Sequence, residues 1–291
     1  PERAFKIADH IALAWVFGKH DVLAELVPLE SDLEQRKQRC LYYGGLYDDI
    51  AAETRIRGTQ HAQTLAEVTE LIAEQRYDEA LDGIASLEDA LADDEAGVAD
   101  YLRRLRSETQ LRLDLAGGEW VDVPLTNDYF DSAQIDVIAE DGVLVLTPKP
   151  DAPDEIVTAT FLRPTFTAPI ETEVILEIDP GASAGLYANY FSGKRVWFEL
   201  EPSRGRYQVG TERRLITDER IRVSNAPRQK FHLSAGPETG HLVLNDGEFR
   251  SRGSAYNVDS PKTRPCIRAR FTEPGQTVRV LSFRVRQPQG L

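Results

Sequence analysis

Between Thr59 and Gln75, Leu65, Val68, Leu71 and Ile72 recur at steps that line them up on one side of an α-helix. Arg76-Tyr77 reads as a short turn. Asp78 then opens a second helix, with Leu81, Ile84, Leu87 and Leu91 on its apolar side. An acid suits that position, because it meets the exposed amides and the positive end of the helix dipole. Asp93-Asp94-Glu95 interrupts the pattern. A last helix spans Val98 to Leu115, with Leu102, Leu105, Thr109 and Leu113 on one face. Upstream, Phe5 to Val27 predicts one or two helices broken at Gly18, and Asp32 to Ala52 a further one interrupted by Gly44-Gly45.

Past Gly117-Gly118 the period drops to two. Thr172, Val174, Leu176 and Ile178 share one face of a strand, and Glu171, Glu173, Glu177 and Asp179 lie on or flank the other. Similar runs follow at Gly185–Phe191, Arg195–Glu201, Arg206–Val209, Lys230–Ala235, His241–Asn245, Ile267–Thr272 and Gln276–Arg286. Asp141-Gly142 joins two earlier runs as a hairpin signal, and Asn245-Asp246-Gly247 marks another tight turn. About ten short strands without a convincing helix predict a two-sheet antiparallel sandwich. The expected fold class is therefore multidomain α + β. A helical domain covers 1–117 and a β-sandwich covers 119–291, with the Gly pair capping the last helix.

Composition narrows the function classes. Apolar residues make up 41% and charged ones 28%, the balance of a globular chain. The longest apolar run, Ile11 to Gly18, is too short to cross a bilayer. Net charge is −14, and residues 1–118 hold 24 acids against 13 bases, a net of −11. Phosphate backbones need clustered Lys and Arg, so nucleic acid is not expected as a partner of that half, nor is membrane insertion. The second half has 17 Arg and 4 Lys, which leaves room for a local basic patch. Cys40 and Cys266 are too few for a disulfide framework and read as unpaired, which leaves the compartment open.

Two resemblances add to this. Tyr77-Asp78-Glu79-Ala80-Leu81 resembles the start of the second helix of a tetratricopeptide repeat, with departures at Val68 and Leu87. The likeness covers one repeat, and an ordinary helical hairpin stands beside it as a reading. Either implies a scaffold that mediates protein contacts. In the second half, Glu173–Ile178 with Ala182–Tyr187, Lys230–Ser234 with His241–Gly247, and Val278–Arg286 resemble concanavalin-like jelly rolls. The nearest types are laminin-G-like domains and the 3-keto-disaccharide hydrolase family of bacterial secreted proteins. That resemblance implies glycan binding or hydrolysis, a periplasmic or extracellular setting, and a possible Ca²⁺ near Asn245, Asp246 or Asp259; no other cofactor is expected.

The run Arg195-Val196-Trp197-Phe198-Glu199-Leu200 carries the candidate chemistry. Alternation puts Arg195, Trp197 and Glu199 on one face, an aromatic plane between a cation and a carboxylate. Sugars are bound that way, by an indole under the ring and polar groups on the hydroxyls. Tyr187 and Asn189 on the preceding strand and Tyr207 on the next complete the expected ligand-binding set. The alternative is Trp197 packed under neighbouring groups. Hydrolysis would need two carboxylates, for which Glu199 with Glu177 or Glu201 is the candidate set. The histidines, His10, His20, His61, His232 and His241, show no zinc-ligand spacing. No nucleotide-binding or nucleophile-elbow motif occurs.

These features predict a non-catalytic protein whose sandwich recognises a glycan or another extended ligand. The rivals are a glycoside hydrolase and an interaction module of a larger bacterial regulatory protein.

Overall fold

The computed structural model describes residues 46–92, 96–132, 135–148, 156–190, 195–211, 214–224, 226–254 and 262–288. The helices expected within Phe5–Val27 and the first part of the Asp32–Ala52 pattern lie outside them. The chain divides into two compact units, 1–110 and 111–291.

In the first unit, α1 (Leu46–Arg57), α2 (Ala62–Ala73), α3 (Tyr77–Ala90) and the greater part of α4 (Ala96–Leu115) are helical. The apolar stripes read from sequence form its core. Leu65 and Val68 of α2 meet Ile84 and Leu87 of α3, with Val98, Tyr101 and Leu102 of α4 in the same cluster. Helix α2 approaches α3 so closely that a Cβ on Gly83 would fall 2.6 Å from Val68 Cγ2. Asp78 and Glu79 sit in the first turn of α3, as the dipole favours.

The second unit is the jelly-roll sandwich of two antiparallel sheets that the sequence predicts. Its strands are β1 (Val121–Asp122), β2 (Phe130–Ser132), β3 (Ile135–Glu140), β4 (Val143–Pro148), β5 (Ile156–Leu162), β6 (Phe166–Thr167), β7 (Ile170–Ile178) and β8 (Ser183–Tyr190). They continue as β9 (Arg195–Glu201), β10 (Arg206–Thr211), β11 (Leu215–Arg220), β12 (Arg228–Ala235), β13 (Thr239–Leu244), β14 (Phe249–Ser254), β15 (Lys262–Phe271) and β16 (Val278–Arg286). The first sheet runs β14-β13-β12-β7-β16-β4-β3, with β1 beside β16. The second runs β11-β10-β9-β8-β15-β5-β2, with β6 beside β15.

Strict alternation along β7 turns Val174, Leu176 and Ile178 inward and leaves Glu171, Glu173 and Glu177 outside. Phe198, Tyr207, Phe231, Phe271 and Phe283 are fully enclosed between the sheets. Each such side chain contributes about 1.5–3 kcal/mol of transfer free energy. Leu111 and Leu115, in the last turns of α4, belong to this same core. The β3–β4 hairpin turns at Asp141 (φ 49°) and Gly142 (φ 76°), the left-handed pair that an Asp-Gly turn supplies.

Candidate functional site

The outer face of the second sheet is built by register. Strand β9 pairs with β8 and β10, so Tyr187 and Gly210 lie opposite Trp197, Gly185 and Gln208 opposite Glu199, and Arg206 opposite Glu201. Strand β15 pairs with β8 on its far side and places Arg268 opposite Gly185 and Arg270 opposite Ser183. Pro202 starts a single 3₁₀ turn after β9, and Gly205, at φ 57°, closes it. That tight return carries Arg204 and Arg206 back over Glu201.

Two clusters share this face. In the first, Tyr187, Trp197 and Cys266 pack together. Trp197 is only 9% exposed, and its indole N–H donates to the Thr211 carbonyl at 3.3 Å. The ring lies over Gly210, where a Cβ would meet Trp197 Cζ2 at 2.2 Å. The Arg268 guanidinium covers the ring at 4.2 Å from its centre. This corrects the expectation of a sugar-stacking platform: the indole is a buried support for Arg268.

The second cluster centres on Glu199, which is 2% exposed. Its Oε1 accepts from Ser183 Oγ at 2.6 Å and its Oε2 from Arg268 Nε, while Arg270 Nε lies 3.2 Å from Oε1. Arg268 also donates to the Tyr187 hydroxyl at 2.8 Å. Burial works against the Arg268 charge, but Glu199 and Tyr187 outweigh it and hold its pKa above the ordinary arginine value.

Beyond Glu199, at the end of the strand, lies a cavity of about 60 Å³. Glu199, Glu201 and Gln208 border it together with Arg204, Arg206 and Arg270. Gly181 and Thr272 close its edge and are fixed by Gln276. The Gln276 amide accepts from the Thr272 N–H at 2.8 Å and donates to the Pro180 carbonyl at 3.1 Å. Arg206 grips Asp218 through two hydrogen bonds of 2.9 and 2.7 Å, which pull the Asp218 pKa down to about 2. Glu201 is 7% exposed, and its Oε1 accepts no hydrogen bond among the described residues. Arg204 Nε stands 3.1 Å from it, outside hydrogen-bonding alignment.

The sequence-derived set is therefore split. Glu199 borders the cavity. Trp197 and Tyr187 brace it through Arg268. Arg195 sits at the opposite end of β9, about 13 Å along the strand from Glu199 by strand rise. Asn189 occupies the register position opposite Arg195. Tyr207 is a correction: it pairs with Leu200, so alternation points it into the core, edge-on to Phe249 at 4.6 Å. Gln208 takes the outward place. Glu177 is also corrected as a partner of Glu199. It stands on the outer face of the other sheet, against Arg279 at 3.2 Å, with the core between the two carboxylates.

Arg268, Arg270, Arg204 and Arg206 were missed as site residues. Their signal was faint: an i, i+2 pair of arginines in β15, and Arg-Gly-Arg after Glu-Pro-Ser. Near the expected Ca²⁺ position, Asp246 accepts from Lys230 Nζ at 2.8 Å. Asn245 accepts from the Lys230 amide at 2.9 Å. Asp259 lies outside the described residues, among which no group of three His, Cys, Asp or Glu is arranged to hold a metal ion.

No protein-family model and no curated protein sequence matches the chain. Among solved structures, a Bacillus subtilis protein with a galectin-like fold is similar over 57% of this chain and 94% of its own, at 13% identity and a TM-score of 0.43. An endo-β-1,3-glucanase from Pyrococcus furiosus is similar over 57% and 90%, at 9% identity and 0.44. A carbohydrate-binding module from Bacillus subtilis is similar over 54% and 95%, at 6% identity and 0.40.

Proposed function

We propose that the protein is a binding protein whose sandwich holds a hydroxylated ligand, a glycan, in the cavity at the Glu199–Glu201 end of the second sheet. One observation carries the reading: Glu201 Oε1 is enclosed, accepts no hydrogen bond among the described residues, meets Arg204 Nε only as an ion-pair contact at 3.1 Å, and belongs to a residue that borders the cavity. A buried acceptor left unmade costs about 1–3 kcal/mol. A ligand hydroxyl placed there recovers that cost. Sugar hydroxyls donate and accept at once, and the cavity offers Glu201 as acceptor and Gln208, Arg204 and Arg206 as donors. Its volume holds about two waters, which suits the edge of a sugar, with the rest of the chain lying outside.

Binding is favoured over turnover because Glu199 is engaged by Ser183, Arg268 and Arg270. A hydrolase needs both carboxylates available to water or to the glycosidic oxygen. The hydrolase reading keeps one observation in its favour, that Glu199 and Glu201 stand two residues apart on one outward face. For the helical unit the proposal is protein contact, testable by capture from extract with and without residues 1–110.

Glycan binding by the full chain, compared with Glu201→Gln, tests the reading. Loss of binding with an unchanged melting temperature supports it. Unchanged binding places the ligand elsewhere. Disaccharide turnover that Glu201→Gln abolishes replaces it with the hydrolase.

A further inference from the structure

We propose that β11 is a contact edge on which a second copy of this chain pairs, antiparallel and about a two-fold axis through Ile216. Strand β11 ends the second sheet, and no strand among the described residues lies on its far side. A free edge presents a row of unpaired N–H and C=O groups, which proteins otherwise guard with charges or cover with another element. Here Leu215 and Ile216, 46% and 45% exposed, are the only exposed large apolar side chains among the described residues. They sit where the register with β10 shifts. Val209 faces Thr217 and Gly210 faces Leu215, which leaves Ile216 without a partner on β10.

The sequence of this edge points to its own copy as the occupant. Charge mirrors about Ile216: Arg214 against Asp218, Arg213 against Glu219 and Glu212 against Arg220. Antiparallel pairing about Ile216 therefore sets Ile216 on Ile216 of the second copy, Leu215 on Thr217 and Arg214 on Asp218. Other registers lose this match. An axis at Asp218 puts two carboxylates face to face, which is destabilising. An axis between Thr217 and Asp218 puts Ile216 against Glu219 and Leu215 against Arg220. Arg214 is exposed, and the Asp218 side chain is 37% exposed. Asp218 already accepts two hydrogen bonds from Arg206, and a carboxylate has lone pairs for a second guanidinium. Since Arg206 borders the cavity, the pairing sets two such cavities on one continuous sheet. Contact from Arg214 to Asp218 is small against the roughly 1,200–2,000 Å² of a stable complex, so the association is weak and the dilute protein is a monomer.

The test is the mass of the full chain by sedimentation equilibrium from about 1 to 300 µM, a span that brackets weak self-association. The mass is expected to climb from 32.6 kDa toward twice that value as concentration rises. Ile216→Lys puts two ammonium groups face to face on the axis. It should weaken the dimer about tenfold or more and leave the melting temperature of the dilute protein unchanged. Arg214→Asp, which sets a carboxylate against Asp218 of the second copy, should act in the same direction. Cysteine cross-linking reads the register in a Cys40→Ser background, where the remaining native thiol, Cys266, is buried. Ile216→Cys should join two copies under mild oxidation, since opposed Cα atoms of an antiparallel pair stand about 4.5–5.5 Å apart, within disulfide reach. Glu219→Cys holds its two thiols about 20 Å apart in this register and should not cross-link. A mass that stays at the monomer value at every concentration overturns the proposal. So does a dimer that survives Ile216→Lys, or one that cross-links through Glu219→Cys and not through Ile216→Cys.

Discussion

The guanidinium of Arg268 lies 4.2 Å from the ring centre of Trp197 and at the same time donates to Glu199. One arginine thus joins the buried aromatic patch to the wall of the cavity. Arg268→Ala removes the main cation from a carboxylate that is 2% exposed. Breaking a buried pair from one side costs about 3–5 kcal/mol. Urea unfolding of the variant should show a loss of that order. A shift within 0.5 kcal/mol (roughly the scatter of surface substitutions) would mean the pair is hydrated.

Gly210 is a second lever on the same patch. A Cβ there would meet the Trp197 ring at 2.2 Å. Gly210→Ala should push the indole off its seat and cost about 1–3 kcal/mol, the range for overpacking a close contact. Tryptophan fluorescence should shift along with the unfolding midpoint. A stable variant with unaltered emission would show that the ring has room to move.

Glu201→Gln should leave stability unchanged or raise it by up to about 1 kcal/mol, since it removes a charge from an enclosed site that lacks full hydrogen bonding. Thermal melting is the check. A marked loss would reveal a donor to Oε1.

Cys266 is buried, and burial pushes its thiol pKa well up. It should resist alkylation in the native protein at pH 8 and react once denaturant is added, as peptide mapping would show. The sign of the linkage follows from the raised value. The stability held by the neutral thiol is complete below about pH 8.5, where an unfolded thiol ionises, and declines as pH climbs toward the folded value. Cys266→Ser should flatten that alkaline decline. An unchanged slope would assign it to other groups.

The sandwich was legible because β7 and β16 alternate against a single core, so that period and face coincide; β9 keeps the apolar alternation in its sequence, but its outer face is buried as well. Strands β11 and β14 were missed for a physical reason. Each lies at an edge of its sheet: Leu215 and Ile216 of β11 stay exposed, and the inward positions of β14 are Phe249, Ser251 and Gly253, only one of them a large apolar residue, so neither shows an apolar alternation. The helical stripes were read correctly at Leu65, Val68, Ile84 and Leu87, but α4 hides Leu111 and Leu115 behind a stripe drawn through Leu113. At the site, alternation along β9 found Glu199. It could not say that Trp197 would be capped, because the cap arrives from β15, about seventy positions later in the chain.

Leu111 and Leu115 give the sandwich a stake in the helix that precedes it. They are 2% and 3% exposed within its core, ahead of the Gly117-Gly118 pair where the chain's composition changes. Melting of the β-layers must therefore release the last turns of α4. A far-ultraviolet signal for helix should fall together with the near-ultraviolet signal of the sandwich aromatics, even in a fragment that starts at Leu111. A fragment cut at Gly118 would lose two plugs from its interior and should expose apolar surface to dye. The interior of the sandwich is thus closed on that side by side chains from the end of a helix, not by a strand.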